Sequence, residues 1–447
     1  MKGFIQNSII AFLMILAVYQ ASELWFGDFS NHNFFSFSLN NDEQISEVES
    51  SLLVESVLIN PGNNKLIEDN GGELSSDFDK AIALCVEKGS LISMEKASWK
   101  ELLKEKCVIY ELGIGLRGDE LADIFAMPDA NLSKMESFRR IVIVPKTSST
   151  ESMRVYFITE NENNAYTFEL KKSDIASDCL SHITEAISEG ESIYYISGEQ
   201  NGFDIFNKNE FIPRWSGKGA GYYPLIVQNP FITAGNTEID KAVLERAVDV
   251  FFDLPANKWD RQEENAFVFS DESTVVRYNS TGVLEYSGYK TESVEADSII
   301  EKLSVALSFL NKDTGIENNL YLSGHRVEND KEVFCFDYKI NGFNIGLSSE
   351  LKEKIGMDSF IEITVSEGRV EKYKRYAVNL SVDGIKAIAE TDFLDAVDSI
   401  YAESFSEAEG EIPRVEKIKL SYIVGEEKSS RLSWVVDIMG ESYIKSS

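Results

Sequence analysis

From Gly3 to Ser22 the chain carries no charged side chain, with Lys2 before it and Glu23 and Asp28 after it. Twenty residues at about 1.5 Å each reach roughly 30 Å, the thickness of a bilayer core. Ile9 to Val18 is apolar without a break. Three readings compete: an uncleaved anchor, a cleaved signal peptide and a buried helix. A cleaved signal wants small residues at −3 and −1. Cutting after Ala21 puts Tyr19 at −3, and cutting after Ala17 puts Ile15 there. No cysteine follows the run to carry a lipid. A soluble helix would need a polar stripe that this one lacks. The expectation is one uncleaved transmembrane helix, with an anchor region over residues 1–26.

Lys2 and the α-amino group on one side, with acids on the other, place the N-terminus in the cytoplasm and the bulk of the chain outside it. Trp25 and Phe26 stand where an interfacial aromatic belt would lie. Asn7 and Gln20 are polar positions near the ends of the span. They read either as helix–helix contacts with another membrane protein or as ordinary polarity at a helix end. No other stretch approaches 18 apolar residues, so a single pass is expected.

Charge narrows the partners. The 43 basic and 75 acidic side chains of the 447 residues leave −32, which repels phosphate backbones and anionic headgroups. Nucleic acid is therefore not expected as a partner. His32, His182 and His325 are the three histidines, and the four cysteines are far apart. That leaves little material for a metal or haem site, and no cofactor is expected. Cys85, Cys107, Cys179 and Cys335 lack CxxC spacing; outside the cytoplasm they allow up to two disulfides, and buried thiols are the plainer reading for Cys85 and Cys335.

Hydrophobic patterning gives an α+β chain of several modules, each with helices packed on antiparallel sheets. Residues 27–48, rich in Asn, Ser and Phe, read as a juxtamembrane connector. Residues 49–235 read as an N-terminal α+β domain, with strand-like runs at Leu52–Ile59, Arg140–Val144, Arg154–Ile158 and Ala165–Leu170. Helical tracts lie at Ser98–Lys106 and Asp174–Ile187, and 193–235 reads as a structured connection. A middle unit over 236–292 opens on a helix with Ile239, Val243, Ala247 and Val250 on one face, stopped by Pro255. Units at 293–390 and 391–447 align without a gap at an offset of 98, which sets Phe334 on Leu432, Phe336 on Trp434 and Gly342 on Gly440. Duplication of a helix-then-strands unit is expected.

Catalytic motifs are weak. Ser93-Met94-Glu95-Lys96 has the S-x-x-K spacing of acyl-transfer enzymes, yet Lys146-Thr147-Ser148 lacks the glycine of their second motif. Ser216-Gly217-Lys218-Gly219 lacks the leading glycine of a phosphate loop. Asn311-Lys312-Asp313-Thr314-Gly315 is short of acids for a calcium loop and reads as a helix-ending turn. Paired acids such as Asp271-Glu272 are expected to be solvated, though glycoside cleavage depends on spatial rather than sequential separation.

Several packing words carry a family resemblance. They are Leu24-Trp25-Phe26 with Ser30-Asn31-His32-Asn33-Phe34-Phe35, and Tyr223-Pro224-Leu225-Ile226 with Asn229-Pro230-Phe231. Phe251-Phe252 with Trp259, Phe269-Ser270-Asp271-Glu272, Val275-Val276-Arg277-Tyr278 and Leu284-Glu285-Tyr286 extend it, and Trp434 and Tyr443 mark the closing strands. On these the chain resembles the YycH family, membrane-anchored regulators encoded beside the YycFG (WalRK) sensor kinase system. The resemblance implies a non-enzymatic regulator that contacts a sensor histidine kinase and a YycI-like sister protein in control of cell-wall metabolism. It transfers no catalytic residues. Asn7, Gln20, Trp25, His32, Phe34 and Phe35 are the candidate contact positions. With two residues before the span, coupling is expected to run through the span and the exterior part. The second reading is an anchored module that binds a wall polymer or peptide, motivated by an aromatic content of 11%.

Overall fold

The computed structural model describes residues 53–69, 81–82, 84, 87–96, 98–124, 132, 135–146, 152–159, 164–170, 175–186, 193–201, 204–208, 210–215, 219–232, 238–289, 296–316, 320–406 and 412–447. The expected anchor and connector lie outside these residues. Among the described residues, no helix is long and apolar enough to cross a membrane.

The chain is a mixed, strand-rich fold. Its first sheet comprises β1 (Val54–Asn60), β2 (Ile67–Glu68), β3 (Ser90–Lys96), β4 (Cys107–Leu116), β5 (Phe138–Lys146), β6 (Ser152–Thr159) and β7 (Asn164–Leu170). They run antiparallel in the order β2-β1-β4-β5-β6-β7-β3. Successive strand residues point to opposite faces, and both faces here are covered. Ile141 and Ile143 of β5 enter the main core, whereas Val142 and Val144 join a second cluster around Trp99, Leu103 and Phe211. Double coverage explains why Ile141-Val142-Ile143-Val144 is apolar without alternation. The tract read as helical from Ser98 forms only the turn Trp99–Leu102 before β4 begins. Ser93 and Lys96 stand three apart on the extended β3, not on the helical turn that brings such positions together.

The segment read as a connection supplies four short strands: β8 (Ile193–Ser197), β9 (Phe211–Trp215), β10 (Ala220–Tyr222) and β11 (Leu225–Gln228). After the helix Lys241–Asp249, capped by Asp240, comes a meander of β12 (Trp259–Glu263), β13 (Ala266–Ser270), β14 (Thr274–Asn279) and β15 (Val283–Gly288). Next are β16 (Leu320–Glu328), β17 (Lys331–Ile340), β18 (Phe343–Leu347), β19 (Ile361–Ser366), β20 (Arg369–Tyr376), β21 (Asn379–Val382) and β22 (Ala387–Ala389). The chain closes with β23 (Val415–Val424), β24 (Ser429–Ser430), β25 (Leu432–Ile438) and β26 (Glu441–Ser446).

Among the described residues, pairing crosses the unit boundaries drawn at 235/236, 292/293 and 390/391. β15 pairs β20, β18 runs parallel to β23, and β11 lies between β21 and β24 while β10 pairs β22. One continuous core reaches from Leu53 to Ile438. The 98-residue offset places the β17–β18 turn on the β25–β26 turn: Asn341 and Gly342, then Met439 and Gly440, all have positive φ. The helices do not keep the offset, since Ile299–Leu310 and Phe393–Ser404 begin 94 residues apart.

The helix Ile299–Leu310 opens on a Ser298/Glu301 capping box and ends at Asn311. In the turn that follows, Asp313 faces inward. Its Oδ1 accepts from Arg375 Nη1 at 3.1 Å and from the Gly315 amide at 3.0 Å, and its Oδ2 accepts from the Tyr373 hydroxyl at 2.8 Å. The Asp313 and Arg375 side chains are each 2% exposed. The segment is a helix-ending turn, as expected, and its carboxylate belongs to a core ion pair.

Candidate functional site

Two places combine charged or polar groups with burial. The first is a seam between the first sheet and β23. Glu55 leaves β1 toward β23, where Lys417 Nζ donates to both its carboxylate oxygens at 3.0 and 3.1 Å. Asn344 Nδ2 adds a bond of 3.2 Å, and Arg139 Nη2 stands at 3.5 Å. Burial alone would raise the Glu55 pKa, but Lys417, Lys419 and Arg139 outweigh it and hold the carboxyl well below its usual range. Beside it, Arg140 Nε donates to Glu111 at 2.8 Å while its guanidinium lies over Phe211, 5.2 Å from the ring centroid.

Glu210 behaves oppositely. Burial pushes its carboxyl up to about 7 against the pull of Arg140 and Lys417. Its Oε1 accepts from the Ile418 amide at 3.3 Å. Between about pH 4.5 and 7 the unfolded chain releases this proton first, so stability falls as pH rises; above 7 the cost stays constant. Glu210→Gln is therefore expected to raise the unfolding free energy at pH 8 by about 1–3 kcal/mol and to leave it nearly unchanged at pH 4.5. Urea midpoints at the two pH values check this, and equal gains at both would refute it.

The second place is a cleft of about 390 Å³ where β2, β8, β10, the β17–β18 turn and β23 meet. Tyr195, Tyr222, Tyr223, Phe343 and Tyr422 line it, together with Glu68. The Tyr195 hydroxyl donates to Glu68 Oε2 at 2.5 Å, and Lys339 Nζ donates to Oε1 at 2.6 Å. Tyr422, whose hydroxyl donates to the Tyr223 carbonyl at 2.7 Å, is fully buried. Gly342, at φ 81°, and the preceding Asn341 make the tight turn at the rim. Lys386 passes over Gly221, where an added Cβ would meet its Cε at 2.0 Å. The arrangement offers ring faces and hydrogen-bond acceptors to a bound group.

Asn7, Gln20, Trp25, His32, Phe34 and Phe35 lie outside the described residues, as does Cys85. Cys107, Cys179 and Cys335 are buried, and Cys107 and Cys335 are free thiols. Among the described residues, no group of three His, Cys, Asp or Glu side chains is gathered to hold a metal. Neither the seam nor the cleft was evident from motifs. The doublets Tyr194-Tyr195 and Tyr222-Tyr223 were the available signal for the cleft. For the seam, the excess of acids hid the few cations that matter.

No protein-family model and no curated protein matches the sequence. Among solved structures, the crystal structure of YycH from Bacillus subtilis aligns with a TM-score of 0.55, covering 88% of this chain and 96% of that one at 12% identity. The chain has a YycH-like fold. An uncharacterized protein from Eubacterium rectale and the C-terminal domain of YpeB from Bacillus megaterium also align, both at 12% identity, with TM-scores of 0.32 and 0.27. They cover 58% and 47% of this chain, and 91% and 92% of their own lengths.

Several words that carried the resemblance are packing residues of the YycH-like fold. Asn229 Nδ2 donates to the Tyr278 hydroxyl at 2.7 Å, and the Phe231 ring meets Tyr278 edge-on at 4.9 Å. Phe251 stacks on Phe309 at 5.7 Å beside Tyr286 and Tyr373. Trp434, fully buried, donates from Nε1 to the Thr391 carbonyl at 2.8 Å.

Proposed function

We propose that the chain is a membrane-anchored, extracytoplasmic regulator that acts by contact on a sensor histidine kinase of the YycG (WalK) type. The observation that carries this reading is the YycH-like fold over 88% of the chain. The uncharged run from Gly3 to Ser22 supports a single-pass tether with the N-terminus in the cytoplasm. A YycI-like sister protein is the second partner in this reading. The tandem left-handed turns 98 residues apart support duplication of the C-terminal unit. Control of this kind requires only differential contact with two kinase states, worth about 1–3 kcal/mol. It needs no bond-making chemistry, and cell-wall metabolism would be its downstream output.

The test is co-purification with a sensor kinase. The full-length protein is expected to retain the kinase, and a chain starting at Asn40, which keeps every described residue, is expected to retain far less. If neither form holds a kinase and deletion leaves cell-wall gene expression unchanged, the regulator reading fails.

A further inference from the structure

We propose that the aromatic cleft is a binding site for a neutral saccharide of one or two rings. Its volume of about 390 Å³ lies at the lower end of the range for small-ligand sites. The chemistry of the lining selects the class of ligand. Among the described residues that line it, Glu68 is the one carboxylate, and its charge is already met by Lys339 at 2.6 Å. A cation entering the cleft would therefore find no uncompensated opposite charge to pair with. Lys386, crossing Gly221 at the edge, makes the place poorer still for an organic cation.

A purely apolar side chain fits no better. It would take water from the second lone pairs of the Glu68 carboxylate while giving them no donor. Each Glu68 oxygen receives one protein donor, from Lys339 at 2.6 Å or Tyr195 at 2.5 Å, and a carboxylate oxygen accepts two. The matching ligand supplies hydroxyl donors to the second lone pairs and apolar faces to the rings. A sugar ring does both, with C–H faces for stacking on Tyr223 or Phe343 and hydroxyls around its edge. The site is also held ready. Tyr422 is locked to the Tyr223 carbonyl, and both Glu68 oxygens are fixed before any ligand arrives, which lowers the ordering cost of binding.

The proposal does not rest on the regulator reading, so its failure leaves that reading untouched. The experiment is saturation-transfer NMR on the full-length protein with two probes, cellobiose and the disaccharide of N-acetylglucosamine. Tetramethylammonium and N-acetyl-phenylalanine amide serve as comparators. At least one disaccharide is expected to bind with a Kd on the order of 1 mM, and neither comparator is expected to displace it. Glu68→Gln is expected to weaken the sugar about tenfold. Tyr223→Ala, at a position 40% exposed, tests the stacking wall without opening the core and should also weaken it several-fold. No transfer to either sugar, equal affinity in both variants, or displacement by either comparator overturns the proposal.

Discussion

Asp313→Ala is expected to lower the unfolding free energy by about 3–5 kcal/mol, because it leaves the Arg375 guanidinium buried without its counter-charge. The Arg375 side chain is 2% exposed and its Nη1 donates to Asp313 at 3.1 Å. The Tyr373 hydroxyl, donating to the same carboxylate at 2.8 Å, loses its acceptor as well. Arg375→Met combined with Asp313→Ala removes both charges and is expected to recover most of the loss, since a buried pair of opposite charges is often replaceable by apolar side chains. Urea midpoints of the full-length protein check both variants. If the single substitution costs less than about 1 kcal/mol, the size of an ordinary surface change, the pair is not a keystone of this core.

Gly113→Ala is the second large effect, and its cause is space rather than charge. Between Glu111 and Leu116 the register of β4 with β5 shifts, and there the backbone abuts β16. A Cβ at Gly113 would stand 1.6 Å from the Leu322 carbonyl oxygen, a backbone atom that cannot rotate away. The first sheet and β16 would have to separate, at a cost of about 3 kcal/mol. Gly356→Ala is the informative comparison. Gly356 ends a helix at φ 65° with nothing within 4 Å of an added Cβ, so only its left-handed backbone objects, by about 1 kcal/mol. A thermal melt should rank Gly113→Ala well below Gly356→Ala; the reverse order would refute the close approach.

The strands with strong patterning were legible. Ser152–Thr159 and Asn164–Leu170 contain the expected runs Arg154–Ile158 and Ala165–Leu170, because each is an antiparallel strand set against the core. The helix Lys241–Asp249 was legible as a helix, but its buried face centres on Leu244 and Val248, with the expected Val243 and Ala247 half-buried beside them. Ala220–Tyr222 was illegible, since three residues show no periodicity and its partner, Ala387–Ala389, lies far along the chain. Asp313 looked like turn chemistry, which it is, but nothing local announces that Arg375 waits 62 residues away. The cleft was hidden for the same reason: Glu68, Tyr195, Phe343 and Tyr422 come from four distant segments. Local periodicity reports local faces, and a site assembled by topology leaves no local trace.

The seam also sets a timetable. Lys417 reaches Glu55 across 362 residues of chain, and Tyr422 reaches the Tyr223 carbonyl across 199. Closing loops of that length comes late, because the entropy is spent before the contact returns anything. During synthesis, the Glu55 carboxylate of β1 therefore has only Arg139 to meet until β18 and β23 emerge, and β11 waits for partners on both its edges. The last-made strands thus complete pairings that the first-made ones leave open.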